Sequence, residues 1–184
     1  DVAFFSRTST AFTRELFFTS LGGANSDYSA VGRDGAGYYW FGSREPSVLA
    51  DGAVRVLDPQ AAPPNTPRID FLSGNDDLHA FVTGLVAPPA FNELWVLSRT
   101  RGVLQLDDAG APTVFRHYTI LNGGLPPALL QDELTRGVYE PDTQDVWIAM
   151  RSGVARYKRD VGAFVAIPLG VLGVSGRVHD LALD

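Results

Sequence analysis

The residues best suited to chemistry in this 184-residue chain are arginines at regular places. Tryptophans stand at Trp40, Trp95 and Trp147, and an arginine follows each by four positions: Arg44, Arg99 and Arg151. A fourth, Arg7, keeps the same distance from Ala3, which takes the tryptophan slot of a diverged phrase. Guanidinium groups offer fixed, forked donors that match carboxylate or phosphate. Four at one recurrent position predict an anion-binding or acidic-partner face. The competing reading is stapling: Asp27, Asp76, Asp77, Asp132 and Glu133 fall where adjacent loops would meet those arginines. Such pairs hold neighbouring units together without binding anything else, and when exposed are worth about 0–1 kcal/mol.

The remaining chemistry is sparse. The histidines are His79, His117 and His179. His79 and His179 take similar places at the start of a strand, and together they could address an anion or a metal with help from Asp77 and Asp180. Their spacing is not that of a metal site. Asn75-Asp76-Asp77, Asp107-Asp108-Ala109-Gly110 and Asp142-Thr143-Gln144-Asp145 lack the full ligand spacing of a calcium loop and read as turn formers. Gly32-Arg33-Asp34-Gly35-Ala36-Gly37 joins two strands with no helix after it, so it is a hairpin tip and not a phosphate cradle. Zero cysteines exclude disulfides, thiolate metal sites and cysteine nucleophiles. No Gly-x-Ser-x-Gly elbow is present. No catalytic residue, metal or cofactor is therefore assigned. Lys+Arg 15 against Asp+Glu 21 gives a net charge of -6, which disfavours nucleic acid as a partner. No apolar run approaches the roughly 18 residues of a membrane helix, so the chain is not expected to span a bilayer by helices. Residue 1 is not Met, which predicts either a removed leader or a piece of a longer chain.

Repeated strands must position these groups. The tryptophan phrases run Tyr38-Tyr39-Trp40-Phe41-Gly42-Ser43-Arg44, Glu93-Leu94-Trp95-Val96-Leu97-Ser98-Arg99 and Asp145-Val146-Trp147-Ile148-Ala149-Met150-Arg151. A turn and a second alternation follow each: Ala53–Leu57, Gly102–Leu106 and Gly153–Tyr157. Period-two alternation of β-branched and aromatic residues between Gly, Asp and Pro turns spells strand, turn, strand. Helical periodicity is confined to Pro127–Leu134. A further copy is split between the termini. Phe4-Phe5-Ser6-Arg7-Thr8 matches Val96–Thr100, Arg14–Thr19 with Gly22-Gly23 matches Phe115–Thr119 with Gly123-Gly124, and Val178–Leu183 matches the strand that precedes each tryptophan phrase. Strand 178–183 is expected to pair alongside strand 2–6. The Pro-rich stretches Pro59–Pro67 and Ala87–Ala90 lie inside units and are loops. Ala166–Val174 is apolar for a connector and is expected to be buried as a plug.

Units of about 46 residues have the length of a four-stranded propeller blade. The phrases resemble the β-propeller repeats of bacterial two-component-regulator sensor regions. The match is best over Phe115–Thr119, Asn122-Gly123-Gly124-Leu125-Pro126 and Asp142–Gly153 around Trp147. The sequence departs from that pattern at an insertion, Glu45–Gly52, at Ala3, and at Ser6, Ser43, Ser98 and Met150 where the family has Thr. The expected fold is all-β: one domain over 1–184, a β-propeller of four blade equivalents. The blades are about 1–21 plus 177–184, 28–72, 78–120 and 133–168, and one is thus split between the termini. Stacking would cover both faces of each blade and place the four arginines on one face around an axis.

The resemblance implies a periplasmic or extracellular bacterial module that binds or scaffolds and does not catalyse. Its expected partner is a protein, a larger complex or a small anionic ligand. The candidate ligand-binding residues are Arg7, Arg44, Arg99, Arg151, His79 and His179, with Trp40, Trp95 and Trp147 as the structural signature. Two other readings stay open. One is a propeller-based lyase or hydrolase acting on an anionic sugar or lactone. The other is an accessory subunit of a membrane-associated multiprotein complex that uses its flat face or the 166–174 connector.

Overall fold

The computed structural model of the chain describes residues 2–8, 11–18, 28–33, 39–43, 54–57, 69–71, 82–91, 93–99, 102–107, 113–127, 134–173 and 175–182; side chains are described at 30–33, 40–42, 82–91, 93–99, 102–106, 116–127, 134–173 and 175–182. Fourteen strands and no helix occur among the described residues. Strands β1 (Val2–Thr8) and β2 (Ala11–Phe18) form a hairpin. Three four-stranded sheets follow in chain order, each an antiparallel meander. Sheet I holds β3 (Tyr28–Arg33), β4 (Tyr39–Ser43), β5 (Val54–Leu57) and β6 (Ile69–Phe71). Sheet II holds β7 (Val82–Val86), β8 (Glu93–Ser98), β9 (Gly102–Asp107) and β10 (Thr113–Tyr118). Sheet III holds β11 (Leu134–Glu140), β12 (Asp145–Met150), β13 (Gly153–Lys158) and β14 (Ala163–Pro168).

Period-two alternation gives each sheet two faces, and both faces of sheet II are apolar. One face sends Leu94, Val96, Leu104 and Leu106 against Trp40 of sheet I. The other sends Val86, Trp95, Leu97, Val103 and Tyr118 against Val146, Ile148, Met150, Ala155 and Tyr157 of sheet III. Strand β8 is consequently buried along its whole length. The tryptophan face of one sheet therefore packs on the opposite face of the next, twice in succession.

The first strands stand side by side, β3 against β7 and β7 against β11. Glycines permit that approach. A Cβ on Gly42 would run into Val82, and one on Gly137 would run into Val86 while lying 3.2 Å from Leu97 Cδ1. The Asn122-Gly123-Gly124-Leu125-Pro126 phrase follows β10. Asn122 Oδ1 accepts the amides of Thr119 and Gly124, both at 2.9 Å, and Gly123 takes a left-handed φ of 73°. That turn drives Leu125 into the core shared by sheets II and III, where it is fully buried.

Two expectations need correction. Residues 178–182 form no strand, and β1 pairs with β2; the expected ladder between 178–183 and 2–6 is not what the chain makes. The segment instead lies over sheet III, with Asp180 4.0 Å from Arg136. The 166–174 connector is not a plug. Ala166 packs on the core, but the chain then turns outward, leaving Val171 76% and Leu172 48% exposed. Strand β14 ends at Pro168, which has no amide hydrogen to continue a ladder. Of the short helical turn expected over Pro127–Leu134, residues 128–133 fall outside the described residues and Leu134 opens β11; the insertion at 45–52 and the Pro-rich loop at 59–67 also fall outside them.

Candidate functional site

The most ordered polar cluster surrounds Trp95. Glu93 lies two residues before it and therefore shares its face. Its carboxylate accepts Trp95 Nε1–H at 3.0 Å and Gln105 Nε2–H at 2.7 Å. Gln105 is the cross-strand partner of Trp95, and its Oε1 accepts the Tyr118 hydroxyl at 3.0 Å. Arg159, on the turn after β13 in sheet III, reaches across and grips both oxygens of Glu93, Nη1 at 3.2 Å from Oε2 and Nη2 on Oε1. Its guanidinium carbon sits 4.1 Å over the Phe91 ring. Burial alone would raise the Glu93 pKa, but the bonds from Arg159, Trp95 and Gln105 and the charge of Arg159 outweigh it and hold the carboxyl below its usual range. Burial pushes the Tyr118 phenol up to about 12, so it remains a donor. All members of this cluster are occupied with one another. It is a fastening between sheets, and it leaves Glu93 ill suited to proton transfer.

The same place on sheet III is built differently. Asp145 corresponds to Glu93 and Arg156 to Gln105, because Arg156 is the cross-strand partner of Trp147. Arg156 Nε donates to Asp145 Oδ2 at 2.7 Å, its Nη2 lies 3.5 Å from Glu140 Oε2, and its guanidinium carbon stacks 4.5 Å over Trp147. Trp147 Nε1 donates to Glu140 Oε2 at 2.9 Å, and Thr143 donates to the same oxygen at 2.6 Å. The bonds from Thr143 and Trp147 lower the Glu140 pKa. Burial would raise that of Asp145, but the Arg159 amide and the Arg156 guanidinium lower it on balance. Asp142–Gln144 lie in the turn between β11 and β12, with Gln144 at a left-handed φ of 62°, and Asp145 opens β12.

Beside these charges the tryptophan face of sheet III opens into a cleft of about 270 Å³ lined by Val138, Trp147, Val154, Ile167, Leu172, Leu181 and Ala182. Trp40 and Trp95 are fully buried, each under the next sheet; Trp147 is half-buried, beneath part of the C-terminal segment. The three indoles thus share a register position and differ in cover.

The arginines singled out from sequence are placed in part. Arg99 and Arg151 open the equivalent turns after β8 and β12, Arg99 exposed and Arg151 half-buried, and both make contacts within the chain. Arg7 lies in β1 opposite Phe12, its side chain outside the described set. Arg44 and His79 lie outside the described residues, as do Asp27, Asp76, Asp77, Asp132 and Glu133. His179 is exposed on the C-terminal segment. Sequence reading missed Arg159 as the inter-sheet fastener. The signal was present in Glu93, a carboxylate on the buried face that demands a cation from the neighbouring unit. Among the described residues no group of three His, Asp or Glu side chains is arranged to hold a metal, and no helix is long and apolar enough to cross a membrane.

No family model matches the chain, and no curated protein matches it. Among solved structures it is similar to the extracellular domain of the putative hybrid two component system BT3049 from B. thetaiotaomicron. The two share 13% identity at a TM-score of 0.60 over 85% of this chain and 20% of that one. A second, the extracellular domain of the putative one component system BT4673 from the same organism, gives 12% identity and a TM-score of 0.38 over 83% of this chain and 26% of that one. The chain thus spans about a fifth of the length of the first. That first likeness is one of fold: all-β, built of four-stranded antiparallel sheets.

Proposed function

We propose that the chain is an extracytoplasmic binding and scaffold module of β-propeller type, whose sheets are blades set around a common axis. The observation that carries this reading is the repeated contact between a tryptophan face and the next sheet, with first strands β3, β7 and β11 side by side. Radial stacking about an axis is an arrangement in which such a contact recurs from one sheet to the next. The fold likeness to an extracellular sensor domain supports the location and the non-catalytic role, by analogy. The domain is taken to run over 1–184, with blades near 28–72, 78–120 and 133–168.

The ligand face is the end of the sheets where Arg99 and Arg151 open equivalent turns, with Arg7, Arg44, His79 and His179 as its further members. A guanidinium has five donors, so a contact within the chain leaves capacity for a bound carboxylate or phosphate. The test is binding of polygalacturonate, with neutral dextran as control, to the parent chain and to the Arg99→Ala/Arg151→Ala variant. Salt-sensitive retention of polygalacturonate that drops at least tenfold in the variant supports the anion face. Equal retention by both chains removes it.

A further inference from the structure

The chain has five asparagines. Asn25, Asn65, Asn75 and Asn92 precede Ser, Thr, Asp and Glu, and Asn122 alone precedes glycine. An Asn-Gly pair is the sequence most open to one covalent change. The glycine amide nitrogen attacks the asparagine carboxamide carbon, and glycine has no side chain to obstruct the approach. The bond from that nitrogen to Cγ forms, the Cγ–Nδ2 bond breaks, and the amide proton leaves with Nδ2 as ammonia. Water then opens the cyclic imide at either carbonyl, giving aspartate or isoaspartate. Asparagine plus water becomes acid plus ammonia, so nothing is oxidised or reduced, and solvent is the one co-reactant.

The fold holds this reaction back. Asn122 and Gly123 are exposed, so water reaches them, but both reacting groups are occupied. The Gly123 amide donates to Ile120 O at 3.1 Å. The carboxamide oxygen accepts the Thr119 and Gly124 amides, and Nδ2, the leaving nitrogen, donates to His117 O at 2.8 Å. The Asn122 amide donates to Thr119 Oγ1 at 3.0 Å. Imide closure requires Cγ to swing onto the Gly123 nitrogen, which breaks the carboxamide bonds and takes the Gly123 amide from Ile120. The turn is also pinned from below. The Leu125 amide donates to Thr119 O at 2.9 Å, and the Leu125 side chain is seated in the core shared by sheets II and III. We propose that Asn122 is a site of spontaneous deamidation gated by the opening of this turn, so that it records, one way, how often the junction of sheets II and III loosens. Neither product restores the turn. Aspartate has no Nδ2–H for His117 O and sets a carboxylate oxygen against that carbonyl. Isoaspartate adds a methylene to the main chain between β10 and Leu125. The inference stands on this turn and is independent of anion binding and of how the sheets are arranged around an axis.

The test incubates the 184-residue chain in mildly alkaline buffer, folded and in urea, and follows conversion at each asparagine by mass spectrometry of acid digests. In urea Asn122 is expected to convert ahead of the other four asparagines. In the folded chain it is expected to convert slower by about tenfold or more, because only opened molecules react. Thr119→Ala removes the acceptor of the Asn122 amide. That variant is expected to convert several-fold faster than the parent when folded and at the parent's rate in urea, a split that intrinsic reactivity alone does not produce. The aged, converted chain is expected to unfold at lower urea than the fresh chain. A folded parent that converts as fast as the unfolded one overturns the proposal, and so does an Asn122 that stays intact in urea. A folded Thr119→Ala chain that converts no faster than the parent also overturns it, as does an aged chain of unchanged urea midpoint. The comparison of folded with unfolded parent needs no variant, so it decides even where Thr119→Ala fails to fold.

Discussion

At the scale of residues, Glu93 and Arg159 show how a single ion pair fixes the relation of two sheets. The pair is partly buried, with 11% and 22% of the two side chains exposed, and both carboxylate oxygens are used. Removing one partner of a fully buried pair costs about 3–5 kcal/mol because the other is stranded. The exposure of Arg159 reduces this, and Arg159→Ala is expected to cost about 2 kcal/mol by urea denaturation. The pH dependence has a definite sign. The folded Glu93 carboxyl titrates below its unfolded value, so its contribution is complete above the ordinary carboxylate range, near 4.3, and is lost as pH falls through the folded value. Glu93→Gln should therefore flatten the fall of stability below about pH 4. An unchanged acid limb would show that Glu93 is not the coupled group.

At the scale of elements, close approach of first strands depends on missing side chains. Gly137 on β11 faces Val86 on β7, and a methyl there has nowhere to go. Gly137→Ala is expected to destabilise by about 1–3 kcal/mol, the usual cost of overpacking. Gly170 is the control. It lies in the turn after β14, and a methyl placed on it would have nothing within 4 Å, so Gly170→Ala should fall within about 0.5 kcal/mol of the parent. Equal effects at the two positions would remove the argument from close approach. Strand identity was readable from period-two patterns at Glu93–Ser98 and Asp145–Met150. The fate of residues 178–182 was not, because an alternating segment becomes a strand only when a partner edge lies within reach.

At the scale of the whole molecule, protection should follow position in the stack. Strand β8 is buried between two sheets, whereas β14 is an edge strand with Val165 46% exposed. Native-state hydrogen exchange is expected to be slowest along β8 and β9 and faster along β14 by at least tenfold, since edge strands open locally without global unfolding. Comparable rates would mean that sheet III is covered in solution.

The sequence by itself determined the all-β class, the antiparallel strand pairs, the equivalence of Trp40, Trp95 and Trp147, and the Asn122–Pro126 turn that seats Leu125. These follow from local periodicity and turn chemistry, which act between residues close along the chain. Only the tertiary structure decided which indole is covered, that Arg159 fastens sheet III to sheet II, and that Val171 and Leu172 stay exposed. Those outcomes depend on which surfaces meet across separations such as the 66 residues between Glu93 and Arg159. Cover, charge pairing and exposure are properties of two surfaces in contact, and a pattern along one strand names its own face without naming what will lie against it.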